Sequence, residues 1–393
     1  MKYAMFFLFF IFFTGKTIAQ NDNYIKGKIV NGETGAAISN ASVFITNTSK
    51  GTVSNNSGDF ELVNAPVGTY DLVVSCIGYE TQVYTYKASQ LPMHIQVQMK
   101  PKAEELQEIV IEPYEKDGWE KWGKFFIESF IGTSDNAKDC VIKNYTVLHF
   151  RNSKKKNQLA VTADEPLIIE NKSLGYKIKY QLEGFTYSFK ESTLLYFGYS
   201  LFNELSQKGP RPWQIKNREK AYYGSVQQFL SSLYNNHLAA DGFEVKRLTK
   251  TLNLEKDRVK KLFKENHMAG INRKDSSEYY DRILRQPDML EKYGQSFLTA
   301  DSLITEGDAA TKKLFFVDYL YIVYKKEKED AEYLQYTHES RAAFYQRSVV
   351  LLLNNKPIFI DAAGNYYMPQ DFISYGYWAW SEKVATMLPL DYK

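Results

Sequence analysis

The chain has 393 residues, enough for two or three domains that each bury a core. A net charge of +3 gives no electrostatic footprint for nucleic acid, and two cysteines exclude a disulfide framework. Thirty tyrosines and 25 phenylalanines, in a pattern punctuated by Gly and Asn, favour strands over helices.

The first 19 residues read as a secretory signal. Lys2 supplies the basic start, Ala4 to Phe13 form an unbroken apolar run, and Thr17-Ile18-Ala19 sets a small residue before a cut at Ala19–Gln20. The run is about half the roughly 20 residues a membrane-spanning helix needs. No Cys follows Ala19 to accept a lipid, and no later stretch is long and apolar enough to span. Removing 19 residues leaves 374, and losing Lys2 and Lys16 lowers the charge from +3 to about +1. The mature protein is expected in the periplasm or at the outer-membrane periphery, without a transmembrane helix.

Residues 20–113 show regular strand signals: Tyr24–Val30, Ala41–Asn47, Gly51–Ser54, Asp59–Val63, Thr69–Cys76, Tyr79–Tyr86, an alternation at Ile95, Val97 and Met99, and a short strand at Ile109–Ile111. Turn chemistry at Asn31-Gly32, Asn55–Gly58, Pro66–Gly68 and Gly78 separates them, which predicts an antiparallel β-sandwich. Asn55 and Asp59 offer too few oxygens for Ca²⁺ and read as a hydrogen-bonded turn.

The residues Gly27-Lys28-Ile29-Val30, Gly35, Ala41-Ser42-Val43, Gly51-Thr52, Gly58-Asp59-Phe60, Gly68-Thr69-Tyr70 and Ile77-Gly78-Tyr79 carry a resemblance. This segment is similar to the carboxypeptidase-regulatory-like domain, a transthyretin-like (prealbumin-like) sandwich. Ala37-Ile38 departs from the family, which usually has Pro before the apolar residue. The resemblance implies an accessory module of the kind found at the N-termini of bacterial envelope proteins. It transfers no catalytic residue.

Pro113 and the charges after it mark the boundary to residues 114–393. Asp117 is placed to cap a helix over Gly118–Ile131, with Trp119, Trp122, Phe126 and Phe130 on one face. Strands are predicted at Asn144–Phe150, Gln158–Ala163, Leu167–Glu170, Gly175–Leu182, Phe185–Lys190 and Leu194–Leu201. Lys154-Lys155-Lys156 falls at a hairpin tip and reads as a solvated loop or as a contact to anionic lipid or glycan. One helix is predicted over Asn217–Asn236, a strand at Phe243–Leu248 and a basic helix at Leu254–Asn266. Arg273–Gln286 reads as a loop. Further strands are predicted at Ser296–Thr299 and at Leu314–Tyr324, the latter central. Val349–Leu353 and Ile358–Ile360 are predicted to form a hairpin, and Tyr377–Met387 a closing helix. The expected class is α+β with a dominant antiparallel sheet. Its helices argue against a membrane barrel.

No His has Glu three residues on, so the zinc-carboxypeptidase signature is missing. So are the Gly-x-Ser-x-Gly elbow and the phosphate-binding Gly loop. The sequence implies no metal and no cofactor. Asp164, Glu165 and Asp361 are candidate acids for a glycosidase, which needs two carboxylates at a defined separation. Tyr366, Tyr367, Tyr377, Trp378 and Trp380 are candidate binding residues, since aromatics stack on sugars or anchor protein interfaces; the alternative is that they fill a core. Arg211, Trp213, Lys216 and Arg218 form a smaller mixed cluster with the same two readings. The expectation is a non-catalytic envelope protein whose sandwich docks or spaces a larger protein- or glycan-binding domain. The alternative is a hydrolase with an acidic site in that domain. N-terminal sequencing of the exported protein is expected to start at Gln20; a mature chain retaining Lys2 would overturn the cleavage assignment.

Overall fold

Alternating apolar residues build the N-terminal sandwich in this computed structural model, which describes residues 23–102, 113–264, 274–308, 310–367 and 369–392. The signal segment and the strand predicted at Ile109–Ile111 lie outside the described residues. Seven strands form the sandwich: β1 (Tyr24–Asn31), β2 (Ser42–Ile45), β3 (Gly51–Val53), β4 (Asp59–Val63), β5 (Thr69–Ser75), β6 (Gln82–Lys87) and β7 (Met93–Met99). One sheet has the order β4-β1-β7 and the other β3-β2-β5-β6. Ile25, Ile29, Val43, Ile45, Leu72, Val74, Tyr86 and Val97 meet between them with no solvent exposure. One pair departs from the antiparallel expectation: β1 and β7 run parallel, from Ile25 opposite Met93 to Asn31 opposite Met99. The chain reaches β7 from the opposite sheet, so no hairpin forces it to reverse.

The next segment opens with α1 (Gly118–Phe130) and the single turn α2 (Asp135–Lys138). Asp117 precedes α1 as expected but makes no cap hydrogen bond; its carboxylate pairs with Lys121 at 3.4 Å instead. Six strands follow: β8 (Cys140–Ile142), β9 (Leu148–Ser153), β10 (Gln158–Ala163), β11 (Leu167–Asn171), β12 (Tyr176–Ser188) and β13 (Thr193–Glu204). The two strands predicted between Gly175 and Lys190 are one, bent by an irregularity between Leu182 and Gly184. β12 pairs with β13 along its length on one side, and with β11 and then β10 on the other. Phe126 and Phe130 lie fully buried on this sheet beside Tyr180 and Phe185. Cys76 and Cys140 are unpaired thiols.

The helix expected over Asn217–Asn236 is two helices, α3 (Pro212–Tyr222) and α4 (Val226–Tyr234). Gly224 breaks them apart at φ +77°, and Ser225 caps α4 by accepting from the Gln228 N–H. The turn α5 (Leu238–Asp241) leads to β14 (Phe243–Leu252). Then come α6 (Leu254–Lys264), α7 (Lys274–Leu284) and β15 (Met289–Tyr293). The predicted loop is therefore a helix, and the predicted strand at Ser296–Thr299 is irregular. α7 holds through tertiary partners absent from its own sequence, such as the Tyr279 hydroxyl donating to Glu255 of α6 at 2.8 Å.

The apolar run Leu314–Tyr324 is divided. β16 (Ile304–Glu306) and β17 (Thr311–Leu314) belong to one sheet, and after a break at Asp318 (φ +66°) β18 (Tyr319–Lys328) enters another. β18 is central there, between β14 and β19 (Tyr345–Leu352). The turn α8 (Ala331–Tyr336) lies between β18 and β19. β19 makes no hairpin with β20 (Ile358–Asp361), because Asn354 and Asn355 take positive φ and send the chain into the β17 sheet. β21 (Tyr366–Tyr367), β22 (Phe372–Gly376) and α9 (Tyr377–Ser381) complete the chain's regular elements. α9 stops at Ser381, short of the predicted Met387, and only a 3₁₀ turn follows. Residues 114–392 thus hold two cores: one around α1 and β12, the other around α4, β18 and Trp378. The sheets are mostly antiparallel, as expected. No helix among the described residues is long and apolar enough to cross a membrane.

The sandwich is fastened to the rest of the chain. Asp391 accepts from the Ser49 N–H at 2.8 Å and from its hydroxyl at 2.5 Å, and the Leu390 N–H donates to the Asn47 carbonyl at 2.7 Å. Asn365 Nδ2 donates to the Thr69 carbonyl at 3.3 Å, and Phe44 and Val73 pack on Leu201. Asp391→Ala is expected to cost about 1.5–3 kcal/mol, the usual value of hydrogen bonds to a charged group, and to raise amide exchange at Ser49 and Lys50. Unchanged exchange there would show that the C-terminal clamp does not hold the sandwich.

Candidate functional site

Between the two cores of residues 114–392 lies a cleft of about 390 Å³, within the range of small-ligand sites. Its walls come from distant elements: α2, the turn before β12, the C-terminal end of α3, the end of β18, β19 and α9. Gly224 sits at its back, where any Cβ would meet Gln346 Oε1 at 2.5 Å and the Tyr324 ring at 2.8 Å. The Trp378 indole N–H donates to the Gly224 carbonyl at 2.6 Å and holds this crossing.

Polar side chains line the cleft in bonded groups. Asn217 Nδ2 donates to Ser173 Oγ at 2.9 Å, and that hydroxyl donates to Asn136 Oδ1 at 2.5 Å. Lys220 donates to Asp330 Oδ1 at 3.0 Å, and the Tyr377 hydroxyl donates to Asp330 Oδ2 at 3.2 Å. Lys138 pairs with Asp135 at 2.6 Å. Gln346 Nε2 donates to Glu327 Oε2 at 3.3 Å, while Gln346 Oε1 is buried with no partner among the described residues. Tyr223 contributes the one aromatic ring in the lining that is about half exposed.

Glu382 closes one wall. Its Oε1 accepts the Val226 N–H, the first of α4, at 3.1 Å. Burial lifts its proton affinity to about pKa 7, against the opposing pull of that N–H and of Lys383. Burial also raises Glu327, with Lys220 opposing and Asp330 reinforcing. The adjacent Lys383 is lowered to about 8 by the same desolvation. Asp135 goes the other way, held below the usual carboxylate range chiefly by the hydrogen bond it accepts from Lys138. The cleft therefore combines carboxyls shifted in opposite directions, Glu382 and Glu327 upward and Asp135 downward, a chemistry suited to hydroxyl-rich ligands and to proton transfer.

The candidate aromatics take different places. Tyr377, Trp378 and Trp380 are buried in the second core, and Tyr377 and Trp380 form part of the cleft wall. The Trp380 indole N–H is occupied by Thr133 Oγ1 at 2.9 Å. Tyr366 and Tyr367 are half-buried on β21, outside the cleft lining. Arg218 is buried by a bidentate pair with Glu204 at 2.9 and 2.7 Å and stacks over Tyr176; Arg211, Trp213 and Lys216 are exposed. The acids considered for a glycosidase are not brought together in the cleft. Asp164 pairs with His149 at 2.6 Å, Glu165 is exposed, and Asp361 is buried beside the sandwich at Gly68. Glu327, Asp330, Gln346 and Glu382 were not singled out by the sequence. The one local signal was the acid-rich end of the central strand, Glu327 to Asp330.

A raised carboxyl makes stability depend on pH in a fixed direction. Folded Glu382 keeps a proton that the unfolded chain has lost, so its contribution is full in acid and declines as pH rises from about 4.5 to about 7. Glu382→Gln preserves an acceptor for Val226 and removes the titration. The melting temperature of the variant relative to the native protein is expected to rise across that window and to level off above it. Parallel pH profiles would overturn the assignment.

Residues 25–111 match the model of the CarboxypepD_reg-like domain family. No curated protein matches the chain. Among solved structures, a type II cohesin–X-dockerin complex from Acetivibrio cellulolyticus overlaps 20% of this chain and 58% of its own at 21% identity and TM-score 0.18. This chain thus spans little more than half of that one. A putative carbohydrate binding protein from Bacteroides uniformis overlaps 48% of this chain and 81% of its own, at 13% identity and TM-score 0.17. A putative membrane-associated protein of unknown function from Bacteroides fragilis overlaps 90% and 94%, at 10% identity and TM-score 0.17. Similarity at these scores defines no common fold. The motifs, the two facing sheets and the family match together make residues 25–111 a CarboxypepD_reg-like domain.

Proposed function

We propose that this is an exported cell-envelope protein that binds a glycan in the cleft between its two larger cores, with the CarboxypepD_reg-like domain as a firmly attached docking module. The observation that carries the reading is the composition of the cleft. Amide, hydroxyl and carboxyl groups from six elements converge there, one buried amide oxygen lacks a partner, and the Tyr223 ring stands half exposed beside them. Ring hydroxyls satisfy such polar groups, while the apolar face of a sugar lies against an aromatic ring. The seams at Asp391 and Asn365 support a rigid attachment of the sandwich over a swinging spacer.

A second reading, a hydrolase, draws support from Glu382 and Glu327, two carboxyls of raised proton affinity on one cleft. A glycan array probed with the mature protein, followed by calorimetry, tests both. Tyr223→Ala is expected to weaken binding about five- to tenfold, or ~1–1.4 kcal/mol, without loss of fold. Release of reducing sugar that Glu382→Gln abolishes would select the hydrolase. A blank array from folded protein would overturn the glycan reading.

A further inference from the structure

The basic hairpin tip singled out in the sequence has a structural neighbour that the sequence did not reveal. Lys154, Lys155 and Lys156 are all exposed between β9 and β10. The pairing of Gln158 with Ser188 brings the β12–β13 turn to the same end of the sheet, and the Phe189 N–H donates to the Asn157 carbonyl at 2.9 Å. That turn adds an exposed Lys190 and one acid, Glu191. The two tips therefore carry four lysines against one glutamate. None of the four lysines forms an ion pair among the described residues, so their charge is concentrated on one end of the sheet.

Aromatic side chains stand directly behind these tips. Phe189 meets Trp122 at 5.8 Å, Phe125 at 5.7 Å and Tyr187 at 5.0 Å, all four half-buried. Leu195, opposite Thr186, is about half exposed close by. One lysine is enough to guard a hairpin against edge pairing. Four unpaired lysines in front of an aromatic cluster form the pattern of an interfacial anchor, with cations at phosphate level and rings at headgroup depth.

We propose that this end of the α1–β13 segment docks on an anionic lipid bilayer, lysines 154, 155, 156 and 190 meeting headgroup phosphates. The charge complementarity commits the surface to lipid, and the aromatic cluster distinguishes it from a purely electrostatic site. It is separate from the cleft and independent of the glycan reading.

The test is co-sedimentation of the mature chain with vesicles of phosphatidylglycerol and phosphatidylcholine, against pure phosphatidylcholine. Retention is expected on the anionic vesicles alone and is expected to fall with added salt. The triple variant Lys154→Ser, Lys155→Ser, Lys156→Ser is expected to bind on the order of tenfold to a hundredfold more weakly, with an unchanged circular dichroism spectrum. The corresponding Lys→Arg triple variant should retain binding. No retention on anionic vesicles, or equal retention on neutral ones, would overturn the proposal. So would full competition by a soluble sulfated polysaccharide together with binding that is insensitive to Phe189→Ser, since that marks a polyanion site with no lipid component.

Discussion

The hydrogen bond from the Trp378 indole to the Gly224 carbonyl joins the parts of the larger region. Gly224 interrupts the path from α3 to α4, and α3 is itself tied to the first core. Arg218 Nε donates to the Leu174 carbonyl, and Gln214 Nε2 donates to the Lys172 carbonyl. Trp378 belongs to the second core, packed on Phe229. A buried indole N–H without an acceptor is costly, so the C-terminal aromatic helix is drawn to this one place in the chain. Once it is there, Trp380 reaches Thr133, Tyr377 reaches Asp330, and Glu382 reaches the first N–H of α4. The cleft is the space left between the cores that these bonds hold.

The same C-terminal segment carries on to the sandwich. Beyond the cleft, Asn171 donates to the Ala385 carbonyl, and Leu390 and Asp391 meet the turn at Asn47 to Lys50. On another side the Asp361–Asn365 turn is held between α4 and the sandwich, with Gly364 against the Gln227 carbonyl. Movement of the sandwich would therefore break polar contacts at two seams. An accessory module held in this way transmits its orientation to the rest of the chain.

Charge is distributed unevenly despite the near-neutral total. Carboxyls converge on the cleft, where burial raises the proton affinity of Glu382, to about pKa 7, and of Glu327. Elsewhere a number of lysines are engaged in ion pairs, many of them surface pairs worth little individually. The β9–β10 and β12–β13 tips gather four exposed lysines that form no ion pair among the described residues, with Glu191 the one acid beside them. A composition count averages these two regions away.

Local features were legible in the residues. The sandwich strands follow period-2 alternation and are punctuated by Asn, Gly and Pro turns, both set by backbone geometry within a few residues. The face of α1 bearing Phe126 and Phe130 follows helical spacing in the same way. The features that needed the tertiary structure depend on partners far along the chain. The break at Asp318 arises because Leu314 pairs with Ile358 while Tyr319 pairs with Leu248 and Leu351. α7 is helical beside α6, although its own residues are mostly polar. Glu327, Gln346 and Glu382 become one site only when β18, β19 and α9 are packed. The sequence by itself therefore determined the strand-rich class and the N-terminal domain. The meeting of the cleft residues, and of the basic tips with their aromatic backing, was decided by tertiary packing, because neither hydrogen-bond partners nor burial are set by neighbours in the chain.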